Sequence, residues 1–236
     1  MRGFFELEGP FNKYGGLLAD TVIVSALWIF FSIPLITIGA STAAMFYVTT
    51  RRIANREGYI TSDFWQAFKD NFKKGTALWL LVVLLFAVLF FNVYNIEFVG
   101  NLGLWLGPAQ LVMMLIVALM CVFMFPMCAR FQMGVFQIIK GSFFMAIRHL
   151  FTSVTCLLLL IGLFISAYLV GIMIIFIPGI YGMLSSVMIM KIFKKYRPEM
   201  DKDPILEIQE IEAKKAEERR QREIKVIESE KEDDSI

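Results

Sequence analysis

The chain has 236 residues, 58% of them hydrophobic and 19% charged, with a mean hydropathy of +0.66. A soluble domain is typically about 45–50% apolar, so the composition excludes an ordinary soluble domain and implies an integral membrane protein. The net charge of +2 conceals a split: residues 1–196 hold 14 Lys+Arg against 7 Asp+Glu, and residues 197–236 hold 9 against 14, a basic body (+7) followed by an acidic tail (−5).

At the start of the chain, Phe4, Phe5, Leu7 and Phe11 alternate with Arg2, Glu6, Glu8 and Lys13, the pattern of a segment lying in the headgroup layer. The apolar run from Leu17 to Thr50 would reach roughly 50 Å as one helix, against a hydrocarbon core of about 30 Å. Pro34 removes a backbone donor and Gly39 loosens the chain after it, so SIPLITIGAS is predicted to divide the run into two short spans, 17–33 and 35–50. A single span followed by a surface helix is the alternative. A cleavage site near Ala40–Ala44 would follow too long an apolar run for a signal peptide, so the first span is read as retained.

The basic stretch from Arg51 to Lys74 contains FWQAFKDNFKKG, in which Phe64, Phe68 and Phe72 repeat every fourth residue while Gln66, Lys69, Asp70 and Lys73 face away. This predicts an in-plane amphipathic helix, capped by Asp63 or Ser62, with its lysines at anionic lipid headgroups. A third span is expected at 76–92 and a fourth at 104–128. Beyond Arg130 and Lys140, a second basic helix capped by Ser142 leads into spans at 150–170 and 174–190, separated near Gly171 and Pro178-Gly179.

The two basic helices belong to an internal repeat. FWQAFKDNFKKGTALWLL (64–81) aligns without a gap on FFMAIRHLFTSVTCLLLL (143–160), placing Phe64 on Phe143, Ala67 on Ala146, Lys69 on Arg148, Phe72 on Phe151 and Thr76 on Thr155; Arg51 and Arg130 share the same 79-residue offset. With six spans, every Lys and Arg of the body falls on one side, and the positive-inside rule places that side and both termini in the cytoplasm. Five spans, with residues 17–38 as one, would move the N-terminus outside. Each half then crosses in the same sense, as a parallel repeat related by an axis along the membrane normal, and its two basic helices would form a shared cytoplasmic platform. The fold class read from the sequence is therefore an all-α polytopic membrane protein carrying two cytoplasmic amphipathic helices. In the tail, Glu210, Lys214, Glu218 and Arg222 form an i,i+4 ladder suited to a charged helix.

Chemistry is sparsely signalled. Cys121, Cys128 and Cys156 lie in apolar runs without CxxC spacing and read as small buried hydrophobes. Asp20, in the first turn of the first span, either rests in water and headgroups or reaches a basic residue such as Arg51. His149, the lone histidine, reads as a surface residue. The sequence has no phosphate-binding loop, HExxH or GxSxG, so no catalytic, cofactor or metal residue is expected. The aromatic faces of the basic helices favour lipid over nucleic acid as partner.

GPFNKYGGLLAD, WIFFSIPLITIGASTAAMFYVT, EGYITSDFWQAFKDNFKKGTALWL and the later AIRHL resemble the YesL family of bacterial multi-pass membrane proteins, most closely over residues 4–82 and not in the charged tail. That family has no established activity. The resemblance implies association with carbohydrate uptake, particularly sugar ABC transporters, and hence an accessory or assembly component that contacts permease subunits. A small-solute transporter, using the breaks at 34–39 and 178–179 as discontinuous helices, is the alternative reading.

Overall fold

Helix α1, Pro10–Ser32, stops where Pro34 imposes extended backbone (φ −74°, ψ 109°), and a 3-10 turn at Leu35–Thr37 leads into α2, Ile38–Ile53. The helix break therefore falls at Pro34, where the sequence places it, and proline also disfavours helical geometry in the residue before it, Ile33. Thr37 seals the turn, its hydroxyl donating to the carbonyls of Phe31 (2.6 Å) and Pro34 (2.7 Å). The computed structural model describes residues 10–53, 59–95 and 103–196, with Glu217 and Arg220 of the tail. Of the expected headgroup segment, residues 1–9 lie outside the described residues, as do 54–58, 96–102 and the ladder of the tail, while Phe11 and Lys13 fall in the first turn of α1.

Helices α1 and α2 run antiparallel, Trp28 Nε1 donating to Thr42 Oγ1 at 3.1 Å. Helix α2 is the centre of the fold, with nearly all of Gly39–Thr50 buried. It contacts α1, α3 (Ile60–Tyr94) and α4 (Gly103–Arg130). Its pairs Gly39/Ala43 and Ala40/Ala44, small residues four apart, let neighbouring backbones approach closely.

Helix α3 differs from expectation. The amphipathic segment and the span after it form one unbroken helix of 35 residues, about 52 Å long at about 1.5 Å per residue. A segment that continues straight into a span extends that span and does not lie in the membrane plane. The helix begins at Ile60, with Tyr59 at the N-cap position and no side-chain cap. Neither Asp63 nor Ser62 caps it; the Asp63 carboxylate is engaged by Arg51 instead.

The second copy folds otherwise. Helix α5, Val135–Arg148, is separated at His149 from α6, Leu150–Leu169. Ser142 is not its cap but a buried interior residue, and the start of the helix is supported by Gln137, whose Oε1 accepts from the Gly134 N–H at 3.2 Å. Ile138, Ser142 and Ala146 form the buried stripe, and α5 packs chiefly on α4 while also touching α3 and α6. Ser153 stabilises the break by donating to the carbonyls of Ala146 (3.2 Å) and His149 (3.1 Å). Its counterpart in the first copy is Lys74, whose ammonium seeks water, and there the helix runs through.

A second 3-10 turn, Gly171–Ile175, precedes α7, Ile177–Tyr196, with Pro178 in the first turn, where a helix tolerates proline. Helix α7 packs on α2 through Thr49 Oγ1 and Ser186 Oγ, 2.8 Å apart, and through Phe46 and Tyr181. By length and composition α3, α4 and α6 can each cross a membrane, so the chain is an all-helical, membrane-embedded protein. Residues 1–192 form one unit and 193–236 another; Glu217 and Arg220 of the second are helical and exposed.

Candidate functional site

The charged residues singled out in the sequence gather at the end of α2. Asp20 is buried, 7% exposed, and its carboxylate accepts from Arg52 Nε. The expected partner was Arg51. Consecutive helical residues point about 100° apart, so Arg52 turns toward α1 and Arg51 toward α3, where its Nη1 donates to Asp63 Oδ1 at 2.9 Å. Two adjacent arginines thus tie α2 to α1 and to α3.

Arg130, at the Arg51-equivalent position, is 5% exposed and its Nη2 lies 3.8 Å from Met190 Sδ. The residue matching Asp63 is Ser142, whose hydroxyl lies 3.6 Å from Met127 Sδ. At the repeat offset the arginine recurs, and a serine stands where the first copy has Asp63. Arg148 ends α5, where a cation complements the helix dipole.

The aromatic face of α3 divides by depth. Phe64 is fully buried, against Phe31 at a ring distance of 5.6 Å. Phe31 also packs on Trp65 and Phe68. Trp65 and Phe72 remain partly exposed, and Lys69 Nζ sits 4.9 Å above the Trp65 ring, a cation–π contact. Phe143, equivalent to Phe64, is 43% exposed, whereas Ala67 and Ala146 are both buried. The inward alanine survives in both copies and the aromatic core belongs to the first alone.

The breaks at 34–39 and 178–179 serve helix contacts. A Cβ on Gly39 would lie 2.2 Å from the Gly75 carbonyl oxygen, and one on Gly179 would lie 2.3 Å from the Thr21 carbonyl oxygen. Ser25 links α1 to α7, its Oγ donating to the Phe176 carbonyl at 3.4 Å and accepting from the Gly179 N–H at 2.9 Å, a donor that a helix start leaves open. Ser25→Ala strands the Gly179 donor and should cost about 1–3 kcal/mol, seen as a lower melting temperature in detergent. Ser32→Ala, whose hydroxyl has no partner among the described residues, should leave melting unchanged. Sequence reading missed Ser25 and Arg52; the small-residue spacing of Gly39, Ala40, Ala43 and Ala44 was the available signal for a tight crossing.

Among the described residues no group of three or more His, Cys, Asp or Glu is placed to hold a metal. The polar atoms that come together do so as pairs joining helices. The family described as a protein of unknown function, DUF624, matches residues 21–93, from the middle of α1 through nearly all of α3. No curated protein and no solved structure matches the chain.

Proposed function

We propose that this chain is a YesL-type, non-enzymatic accessory or assembly component of a carbohydrate uptake system in the bacterial cell membrane, with both termini in the cytoplasm. The observation that supports this reading is the use made of the polar groups. Asp20–Arg52, Arg51–Asp63, Ser25–Gly179 and Thr49–Ser186 all bind one helix to another. The outward groups are of a different kind, a cation–aromatic face on α3 at Trp65 and Lys69 and an apolar and basic face on α5 at Phe136, Phe144 and Arg148. Such faces suit anionic headgroups and the boundary surfaces of ABC transporter permease subunits. The alternative, an independent transporter, would use the discontinuous helices at 34–39 and 178–179; the close backbone approaches at Gly39 and Gly179 favour a helix-packing role for those two glycines.

Affinity purification in mild detergent from cells grown on sugars tests the proposal. A permease or ATPase subunit of a sugar transporter should co-purify. Recovery of the chain without either overturns it, and solute flux into proteoliposomes of the pure chain would establish the transporter reading.

A further inference from the structure

The contacts of the α1–α2 hairpin set a register along α3. Arg51, near the end of α2, meets Asp63; Gly39, near its start, meets Gly75; and Trp79 Nε1 donates to the Leu35 carbonyl within the turn at 2.8 Å. The hairpin therefore accompanies α3 from Asp63 to Trp79 and ends there. Helix α3 continues through Leu80–Tyr94, about 22 Å further at about 1.5 Å per residue.

Charge fixes the depth of this register. Lys69, Asp70 and Lys73 are exposed, and placing such groups in mid-bilayer costs about 2.5–3.5 kcal/mol each. The hydrocarbon layer therefore begins near Lys74, and Gly75–Tyr94 fills its thickness of about 30 Å. The turn, level with Gly75–Trp79, falls in the near half of that layer.

The turn is made for such a place in two independent ways. Its surface is apolar over four consecutive residues, with Ile33 71%, Leu35 74% and Ile36 57% exposed and Pro34 exposed between them. Its carbonyls also find partners within the protein: those of Phe31, Pro34 and Leu35 accept from Thr37 or Trp79, and Thr37 N–H donates to Pro34 at 2.8 Å. Water would satisfy those carbonyls at no cost, whereas hydrocarbon demands internal partners.

We propose that α1–α2 is a re-entrant hairpin that enters from the side bearing Arg51 and Arg52, and whose tip, Ile33–Ile36, is seated among the acyl chains of the leaflet on that side. This departs from the six-span reading, in which residues 33–39 form an outer loop. A nitroxide attached at Leu35→Cys or Ile36→Cys in the full-length chain, reconstituted in phosphatidylglycerol-containing liposomes, tests it, with unsubstituted protein treated alike to correct for the natural cysteines. At both positions collision with oxygen should exceed collision with a water-soluble nickel chelate several-fold, and the ratio should reverse at Asn95→Cys. Nickel-chelate collision at positions 35 and 36 as frequent as at 95 would overturn the proposal, whichever face of the membrane that water belongs to. Both substituted side chains are largely exposed, so the substitutions leave the core intact.

Discussion

Gly39→Ala should destabilise the protein by about 3 kcal/mol, the upper end of the usual cost of overpacking, although the same change stabilises most helices. Alanine gains roughly 0.8–1 kcal/mol over glycine in a helix interior. Against this, the new methyl would lie 2.2 Å from the Gly75 carbonyl oxygen and 2.6 Å from Trp79 Cβ. The first obstacle is main chain and cannot rotate away, so α2 and α3 must separate. Gly75→Ala meets the same crossing from the other side, with Ala40 Cα at 2.8 Å and Ala40 N at 2.9 Å. Gly162→Ala in α6 is the control: nothing lies within 4 Å, and only the favourable term remains. Thermal unfolding in detergent, followed by size exclusion, should show both crossing variants melting well below the parent and Gly162→Ala at or slightly above it. Equal behaviour of all three would mean that the α2–α3 crossing does not hold the fold together.

That crossing also shows what the sequence could not display. Pro34 announces its break because a missing N–H and a fixed φ act locally, whatever the surroundings. Gly75 is ambiguous. Between a lysine-rich segment and an apolar one it resembles a joint, and only the facing Gly39 reveals it as a contact inside a continuous helix. Arg51 and Arg52 pose the same problem in charge. Either could reach Asp20, and the choice depends on the rotation of α2 against α1, a tertiary quantity. Helical class, membrane character and the Pro34 break were thus legible in residues 1–196. The continuity of α3, the break at His149 and the pairing of the arginines depended on neighbours distant in sequence, such as Asp63 for Arg51, or on a hydroxyl such as Ser153 whose helix-breaking bonds resemble any other serine's.

Arg52→Ala should cost about 2 kcal/mol. Removing one member of a fully buried pair costs about 3–5 kcal/mol, while an exposed pair contributes only about 0–1 kcal/mol. This pair lies between, the Arg52 side chain being 36% exposed and that of Asp20 9%. The larger part of the loss should come from the stranded carboxylate, so a second change that removes it should restore stability. Asp20→Leu combined with Arg52→Met should therefore melt nearer the parent than Arg52→Ala alone, and the double-mutant cycle should give a coupling in the range of about 0.5–3 kcal/mol expected of contacting residues. Asp20 with Arg51→Ala supplies the contrast, because Arg51 faces Asp63 and its cycle with Asp20 should show little coupling. A coupling near zero for Asp20 with Arg52 would return Asp20 to the role of a boundary carboxylate held by water and headgroups. A coupling to Arg51 instead would mean that α2 is turned about its axis by roughly one residue, about 100°, from the orientation described.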